Sequence, residues 1–374
     1  MKLAYVYDAV YPWETGGVQK RVWELARRLA DDHDVHWYGL HYWDGPAVTE
    51  REGVTLHGVA DPKTLYVDGR RSIPEALSFA TRVARPLLAE EFDVIDCQEF
   101  PYFPAFASKL AAAVRRATLV LTWHEVWGDY WYDYLGRKGV CGRLVERATA
   151  AVPDCHLAVS ERTRRDVADL GAADPRYLPN GISMAEVEAA PAADYDTDAD
   201  VDVLFAGRLI PEKNADLLVR AIAKLRERDP DVNCTIVGEG PERERIDRLV
   251  ADEGLGGTVT TRDFLPEYDD VLGLMKAADV LALPSEREGF GITALEALAC
   301  GTPVATIDHP RNAATELVAD GETGAVRDPA PGAFADGLLA AEECAPDDCV
   351  ATAREYDWDR LADRADALYR EVAR

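Results

Sequence analysis

Short apolar runs alternate with amphipathic stretches along almost the whole chain, and that alternation admits few folds other than parallel sheets covered by helices. KLAYVY (2–7) reads as a strand, and after a Pro/Gly loop the segment 18–30 sets Val18, Val22, Leu25, Ala26 and Leu29 at helical spacing. DVHWYGL (34–40), DVIDC (93–97), ATLVLTW (117–123) and CHLAVS (155–160) continue as strands. SERTRRDVADLG (160–171) opens on a Ser cap and closes on Gly171, as a helix does. The pattern restarts with VDVLFAG (201–207), a loop and NADLLVRAIAKLRERD (214–229). NCTIVGEG (233–240), a helix over 241–253, TVTTRDF (258–264), DVLALPS (279–285) and TPVATI (302–307) complete a second sheet.

This is an α/β chain of two doubly wound, Rossmann-like domains, each beginning strand, glycine-containing loop, helix. The length of 374 residues agrees with two cores. Between them the composition turns to Pro, Ala and Asp without periodicity. The expected division is a first domain over 1–175, a connection over 176–200, a second domain over 201–355 and a terminal helix over 356–374. Ligands of such sheets bind beyond the carboxyl ends of the strands, which for two facing domains means the cleft between them.

Charge narrows the partners. The chain has 68 acidic against 41 basic residues, a formal net charge of −27, and only eight of the basic residues are Lys. A field of that sign repels nucleic acid and anionic membranes as bulk partners. It reads instead as a hydrated acidic coat suited to high salt, a halophilic adaptation. The seven cysteines are scattered and include no C-x-x-C pair, so they read as reduced thiols of a cytoplasmic protein. Met1 leads straight into a strand pattern, so no secretory leader is expected, and no run of about 18 apolar residues could span a bilayer.

Several motifs carry less than they suggest. DYDTDADVD (194–202) has spaced Asp residues, but a calcium loop needs Gly at its sixth position and Glu at its twelfth, and the twelfth is Phe205. Gly238-x-Gly240 has Arg243 where a dinucleotide fingerprint needs its third glycine, so it reads as a strand–turn–helix junction. There is no Walker A sequence. In HDVH (33–36) the two histidines lack a third ligand.

Two stretches point to chemistry. FAGRLIPEKN (205–214) puts Arg208 and Lys213 in a loop directly after a strand, a local positive spot in an acidic protein that suits a diphosphate. EREGFGITALEALAC (286–300) follows a strand with a loop carrying Glu288, Gly289, Phe290 and Gly291, then opens a helix at Ile292 and Thr293 that carries Glu296. Gly289 and Gly291 permit close backbone approach, and the free N–H groups opening the helix form an anion site. Both carboxylates can accept hydrogen bonds from ligand hydroxyls, provided the cations and helix amides offset their repulsion of the diphosphate.

Together, GGVQKRVWELARRLA (16–30), AVSERTRRDV (158–167), LPNGIS (178–183), FAGRLIPEKN, IVGEGPERE (236–244), AADVLALPSEREGFGITALEALACGTPV (277–304) and DGETGAVRDP (320–329) resemble, in order, the retaining GT-B-fold glycosyltransferases of family 4. Glu288 and Glu296, with seven residues between them, match that family's E-x7-E signature. The resemblance implies that Arg208 and Lys213 bind the donor diphosphate and stabilise the leaving group, that Glu288 contacts hydroxyls of the donor sugar and Glu296 those of the ribose. It implies that backbone around Gly291, Ile292 and Thr293 holds the phosphates, that the segment near Phe264 lines the nucleobase pocket, and that Gly16 and Gly17 let the first helix approach the ligand. His124, at the end of ATLVLTW, stands where family members often have a His near the donor sugar; here Glu125 follows where Asp is common. The terminal helix over 357–374 is long enough to bend back onto the first domain, as in family members.

The activity so implied is retaining transfer of a hexose-type sugar from a nucleotide-diphosphate sugar to a glycan, lipid-linked or small-molecule acceptor, with no cofactor and no essential metal. Alternatives are a GT-B nucleotide-sugar epimerase, or a nucleotide-sugar-binding protein without catalysis. Trp123, Trp127, Tyr130, Trp131 and Tyr134 fall at near-helical spacing, and fit either a packed core or a stacking platform for the acceptor. Location is expected to be cytoplasmic, with peripheral association at the inner membrane face left open, although no basic amphipathic helix advertises it.

Overall fold

The computed structural model describes residues 1–62, 66–67, 70–192, 201–265 and 267–373. They form two compact units, Met1–Asn180 together with Trp358–Arg374, and Gly181–Asp357. The stretch read as a connection contains a two-residue strand, Arg176–Tyr177, and a short helix, Met184–Ala189. The Asp-rich stretch considered for calcium lies outside the described residues as far as Asp200.

Unit 1 is built on an eight-stranded sheet. Its strands are β1 (Lys2–Val6), β2 (Asp34–Gly39), β3 (Val48–Arg51), β4 (Val54–Gly58), β5 (Val94–Gln98), β6 (Thr118–Trp123), β7 (Cys155–Ala158) and β8 (Arg176–Tyr177), in the order β8-β7-β6-β5-β1-β2-β4-β3. All pairs are parallel except β3 with β4. Every residue of β5 and β6 is buried, which is why these strands are mostly apolar on both faces, with Asp96 and Gln98 the polar exceptions on β5.

The helices of unit 1 are α1 (Gly17–Leu29), α2 (Ile73–Ala89), α3 (Phe103–Arg115), α4 (Tyr130–Leu135), α5 (Gly139–Ala150) and α6 (Glu161–Asp169). The expected cap of α6 is present: Ser160 Oγ accepts from the Thr163 N–H at 3.0 Å. Ser160→Ala should cost about 1 kcal/mol, read as a lower urea midpoint with an unchanged slope. The C-terminal helix (Trp358–Val372) buries Trp358, Leu361, Ala362, Ala365 and Tyr369, one helical stripe, in the core of unit 1. His33 Nε2 bonds to Asp366 Oδ1 at 2.6 Å and Arg28 Nε donates to Asp359 at 2.5 Å, clamping this helix beside α1.

Unit 2 holds a six-stranded, wholly parallel sheet: β9 (Val201–Ala206), β10 (Cys234–Val237), β11 (Val259–Arg262), β12 (Ala278–Leu283), β13 (Val304–Ile307) and β14 (Gly324–Arg327), ordered β11-β10-β9-β12-β13-β14. The chain adds β10 and β11 on one side of β9, then crosses to lay β12 on the other. The topological switch point therefore lies between β9 and β12, where open α/β sheets bind ligands.

Candidate active site

The loops leaving β9 and β12 flank that switch point, and they carry the residues that the sequence singled out. Lys213 ends a single 3-10 turn, Pro211–Lys213, in the first loop, and Glu288 lies in the second. The Glu286 N–H donates to the Glu212 carbonyl at 2.9 Å, tying the loops together through backbone. Lys213 Nζ donates to Glu288 Oε1 at 2.5 Å, with only 17% and 12% of the two side chains exposed. Arg208, in the same loop as Lys213, is exposed and has no side-chain partner among the described residues.

The glycines of NCTIVGEG have a structural purpose here. A Cβ on Gly238 would lie 1.8 Å from the Gly207 carbonyl oxygen, and one on Gly240 would lie 2.2 Å from that of Leu209. The turn after β10 thus presses backbone to backbone against the loop that presents Arg208, and the Leu209 N–H donates to the Glu239 carbonyl at 2.7 Å. Phe264 is next along, 65% exposed in the loop after β11, its N–H directed at Glu239 Oε1 at 3.4 Å.

On the Glu288 side, Arg287–Glu288 pairs in parallel with Arg311–Asn312. Asn312 is buried and saturated: Nδ2 donates to Thr306 Oγ1 at 2.9 Å and to the Ile307 carbonyl at 3.0 Å, and Oδ1 accepts from the Ala314 N–H at 3.1 Å. This rigid partner fixes the backbone that aims Glu288. Gly291 then takes φ +97°, and a Cβ there would meet the Ala314 Cβ at 2.6 Å, so glycine is required on both counts. The helix Ile292–Ala299 starts at once, with no acidic residue in its first turn, and its amides at Ile292 and Thr293 precede the first intrahelical bond, Leu295 N–H to the Gly291 carbonyl. Gly289 links the strand pair to this turn, while the Phe290 side chain is buried against Tyr356 with ring centroids 5.9 Å apart. Glu296 Oε1 accepts from the Tyr268 hydroxyl at 2.8 Å. Burial and then the Glu296 carboxylate raise the Tyr268 pKa, so the phenol keeps its proton and Glu296 is held by a permanent donor.

A cavity of about 630 Å³ opens at the other end of the same sheet, among Asp229, Asp231, Asp279 and Glu342. Its carboxylates disfavour an anionic ligand, and the switch-point loops are the better diphosphate site.

In unit 1, Gly16 and Gly17 open α1, whose first turn likewise carries no acid. His124 directly follows β6 and is half-buried; its Nε2 bonds to Gln98 Oε1 at 2.8 Å. Gln98 Nε2 donates to Asp96 Oδ1 at 3.0 Å, which orients the amide so that its oxygen faces the imidazole. Thr122 Oγ1 donates to Asp96 Oδ1 at 2.8 Å and the Tyr369 hydroxyl to Asp96 Oδ2 at 2.5 Å. Burial, with a smaller contribution from the Arg21 guanidinium, pushes His124 down to about 3. The imidazole is neutral at physiological pH, with its proton on Nε2 and its Nδ1 lone pair unprotonated.

Glu99 adjoins this network. It is buried, one of its oxygens, Oε2, lacks a hydrogen-bond partner among the described residues, and burial raises its pKa to about 8. A raised pKa means that the folded state holds the proton more tightly than the unfolded one, so stability is lost as pH rises towards about 8. His124, His57 and His156, all lowered by burial, add stability with rising pH only below the ordinary histidine range. The thermal midpoint should therefore fall between neutral and mildly alkaline pH, and Glu99→Gln should flatten that fall.

The aromatic stretch divides. Trp123 and Trp131 are buried in the core, whereas Trp127, Tyr130 and Tyr134 are half-buried around them. The buried Glu146 of α5 accepts from the Trp127 and Gly128 N–H groups at 2.8 and 3.0 Å and from the Tyr102 hydroxyl at 3.0 Å, fixing the turn. His33 and His36 go to separate partners, Asp366 for the first, Asp34 and His57 for the second. No cluster of three metal-ligating side chains occurs among the described residues, and no helix is long and apolar enough to cross a membrane.

Two family models match in succession, Glycosyltransferase Family 4 over residues 15–186 and Glycosyl transferases group 1 over 195–356. The phosphatidyl-myo-inositol mannosyltransferase of Mycobacterium tuberculosis is 30% identical over 338 residues, covering 82% of this chain and 84% of that protein. The chain belongs to glycosyltransferase family 4. A GDP-mannose-dependent alpha-(1-6)-phosphatidylinositol monomannoside mannosyltransferase of Mycolicibacterium smegmatis is 29% identical, with 85% of this chain and 83% of the relative aligned. A higher-scoring match, to the corresponding dimannoside mannosyltransferase of M. tuberculosis, is 31% identical but spans only about half of either protein, 51% and 49%. The fold is that of sucrose-phosphate synthase from Thermosynechococcus elongatus (TM-score 0.78, 22% identity, 99% and 98% of the two chains covered) and of Anabaena Alr3699/HepE (0.76, 17%, 99% and 100%). Both are GT-B proteins, so the fold of this glycosyltransferase is GT-B.

Its sequence had left several site residues unremarked. Asp96 and Gln98 were signalled by two polar residues on one face of the otherwise apolar strand VIDCQ. Tyr268 and Asn312 lie in separate helical and loop segments, and nothing local ties them to Glu296 or Glu288.

Proposed function

We propose that this glycosyltransferase transfers a hexose-type sugar from a nucleoside-diphosphate sugar to a glycan, lipid-linked or small-molecule acceptor, with retention at the anomeric carbon. The observation that carries the reading is the switch point of unit 2. There Arg208, without a side-chain partner among the described residues, the Lys213–Glu288 pair and an acid-free helix terminus occupy adjoining loops. Breaking the anomeric C–O bond develops negative charge on the departing diphosphate. Fixed cations and helix amides stabilise that charge in the transition state, and no cofactor enters the scheme. Glu288 accepts from donor-sugar hydroxyls, and Glu296, steadied by Tyr268, accepts from the ribose. The nucleobase sits near Phe264, Gly16 and Gly17 let the first helix approach the donor sugar or its phosphate, and the neutral His124 serves the donor sugar. The acidic surface is a halophilic adaptation of a cytoplasmic enzyme.

The relatives named for GDP-mannose make GDP the first nucleotide to test. A thermal-shift panel of GDP, UDP, ADP, TDP and NAD in molar KCl should single out one diphosphate, since a ligand stabilises the fold by RT ln(1 + [L]/Kd). A flat response to every diphosphate would remove the proposal's footing. Arg208→Ala should weaken the winning nucleotide by about 10- to 100-fold, the worth of a charge-assisted phosphate bond; unchanged affinity would take Arg208 out of the clamp.

A further inference from the structure

Three neighbouring strands of unit 1 bring polar side chains to one place on a sheet that is otherwise apolar. Side chains alternate along a strand, so Asp96 and Gln98 share one face of β5, and Thr122 and His124 share one face at the end of β6. The parallel register sets Gln98 beside Thr122, and across the other edge of β5 it sets Tyr5 of β1 beside Asp96. Tyr5, Asp96, Gln98 and Thr122 are all buried, so each needs a hydrogen-bond partner inside the fold.

The deciding partner comes from the far end of the chain. Tyr369 belongs to the buried stripe of the C-terminal helix, and Thr118 Oγ1 at the start of β6 donates to the Val372 carbonyl at 2.7 Å, which fixes that helix lengthwise. The Tyr369 hydroxyl donates to Asp96 Oδ2 at 2.5 Å. The Tyr5 hydroxyl lies 3.2 Å from that of Tyr369, and because the Tyr369 proton is committed to Asp96, Tyr5 is the donor of this pair.

Direction then passes from group to group. An ionised carboxylate only accepts, so Asp96 Oδ1 takes the Gln98 amide nitrogen at 3.0 Å and the Thr122 hydroxyl at 2.8 Å. With its nitrogen engaged, Gln98 turns its oxygen to His124 Nε2 at 2.8 Å, and His124 must be the donor there. Its Nδ1 keeps a lone pair and has no hydrogen-bond partner among the described residues. The His124 backbone is held as well, since its N–H and that of Glu125 donate to the carboxyl of Glu99, the residue after Gln98.

We propose that the C-terminal helix sets the chemistry of His124: Tyr369, Asp96 and Gln98 are positioning residues that hold its Nδ1 as a hydrogen-bond acceptor for a donor-sugar hydroxyl, a role that rests on reading His124 as the residue serving that sugar. A ring fixed in this way has no proton at Nδ1 to give, so it orients the sugar and does not protonate the departing diphosphate. The groups facing Asp96 are the Arg21 guanidinium of α1, Tyr5, Tyr369, Thr122, Gln98 and Cys155 of β7. Burial raises Asp96 to about 6, while the hydrogen bonds from Tyr369, Thr122 and Gln98 and the charge of Arg21 pull it down. The anchor is therefore ionised at neutral pH, and Tyr369 helps to keep it so.

The test is nitrogen NMR of the full chain labelled with 15N-histidine, with His124 assigned by its loss in His124→Asn. At neutral pH the wild type should show a protonated Nε2 and an unprotonated Nδ1. Gln98→Met keeps the shape of the side chain and loses both hydrogen bonds, so the Nε2 signal should shift and the tautomer protonated at Nδ1 should appear. Tyr369→Phe should bring in that tautomer at a pH nearer neutral than in the wild type. Without the phenol Asp96 takes up a proton more readily, and a protonated Asp96 can donate to Gln98 and turn the amide round. Turnover of the nucleotide sugar whose diphosphate wins the thermal-shift panel should fall about 100-fold in Gln98→Met, as for a misplaced contact at the reacting centre, with the nucleotide-induced shift unchanged. Thermal midpoints show that both variants are folded. A protonated Nδ1 in the wild type at neutral pH would overturn the proposal, as would His124 signals that both variants leave unchanged. Altered signals with unaltered turnover would remove His124 and its relay from the reaction, yet leave the diphosphate clamp of unit 2 standing. The NMR needs no ligand, so its failure is separate from any failure of the donor site.

Discussion

Glu288→Ala lowers turnover by a factor on the order of 10² to 10³, the loss typical of removing one preorganised polar contact to the reacting group, while nucleoside-diphosphate affinity stays within about twofold. The asymmetry follows from its pairing. Glu288 holds Lys213 at 2.5 Å, in a place where both side chains are largely buried. Removing the carboxylate takes away an acceptor for sugar hydroxyls, but it also frees the Lys213 ammonium, which can then turn to the diphosphate and offset any loosening of the loop. Asn312 and the Glu286–Glu212 backbone bond hold both loops without help from the Glu288 side chain. Single-turnover kinetics beside nucleotide titration separate the two effects. Parallel loss of turnover and affinity would mean that Glu288 orders the loop and does not touch the sugar.

Gly238→Ala should destabilise unit 2 by on the order of 3 kcal/mol and abolish donor binding, though position 238 need not touch a ligand. The new Cβ would stand 1.8 Å from the Gly207 carbonyl oxygen, a backbone atom that cannot swing aside. Relief requires parting the turn after β10 from the loop after β9, breaking the bond from the Gly207 N–H to the Val237 carbonyl and that from the Leu209 N–H to Glu239. Arg208, between those two anchors, then loses its position. Gly256→Ala in the same unit is the control, since nothing lies within 4 Å of a Cβ there. Urea unfolding of both variants, with nucleotide-induced thermal shift, reads the outcome; a stable Gly238→Ala protein that still binds nucleotide would refute this account of the G-x-G turn.

What the sequence determined by itself was whatever repeats locally. Fully buried strands must be apolar throughout and helices must show a stripe, so two doubly wound units could be read from KLAYVY to TPVATI. Arg208, Lys213 and Glu288 could be assigned to loops that follow strands, and Glu296 to the helix that follows one of them, because short loops leave little freedom. The tertiary structure alone decided the pairings. Tyr268 on Glu296, Asn312 behind Glu288 and Tyr369 on Asp96 join residues 28, 24 and 273 positions apart, and no period or spacing encodes such contacts. It also decided the meaning of charge. A net of −27 describes the whole chain, but a diphosphate responds only to charges within about a Debye length. Which cations lie together within that distance is settled when the helices pack.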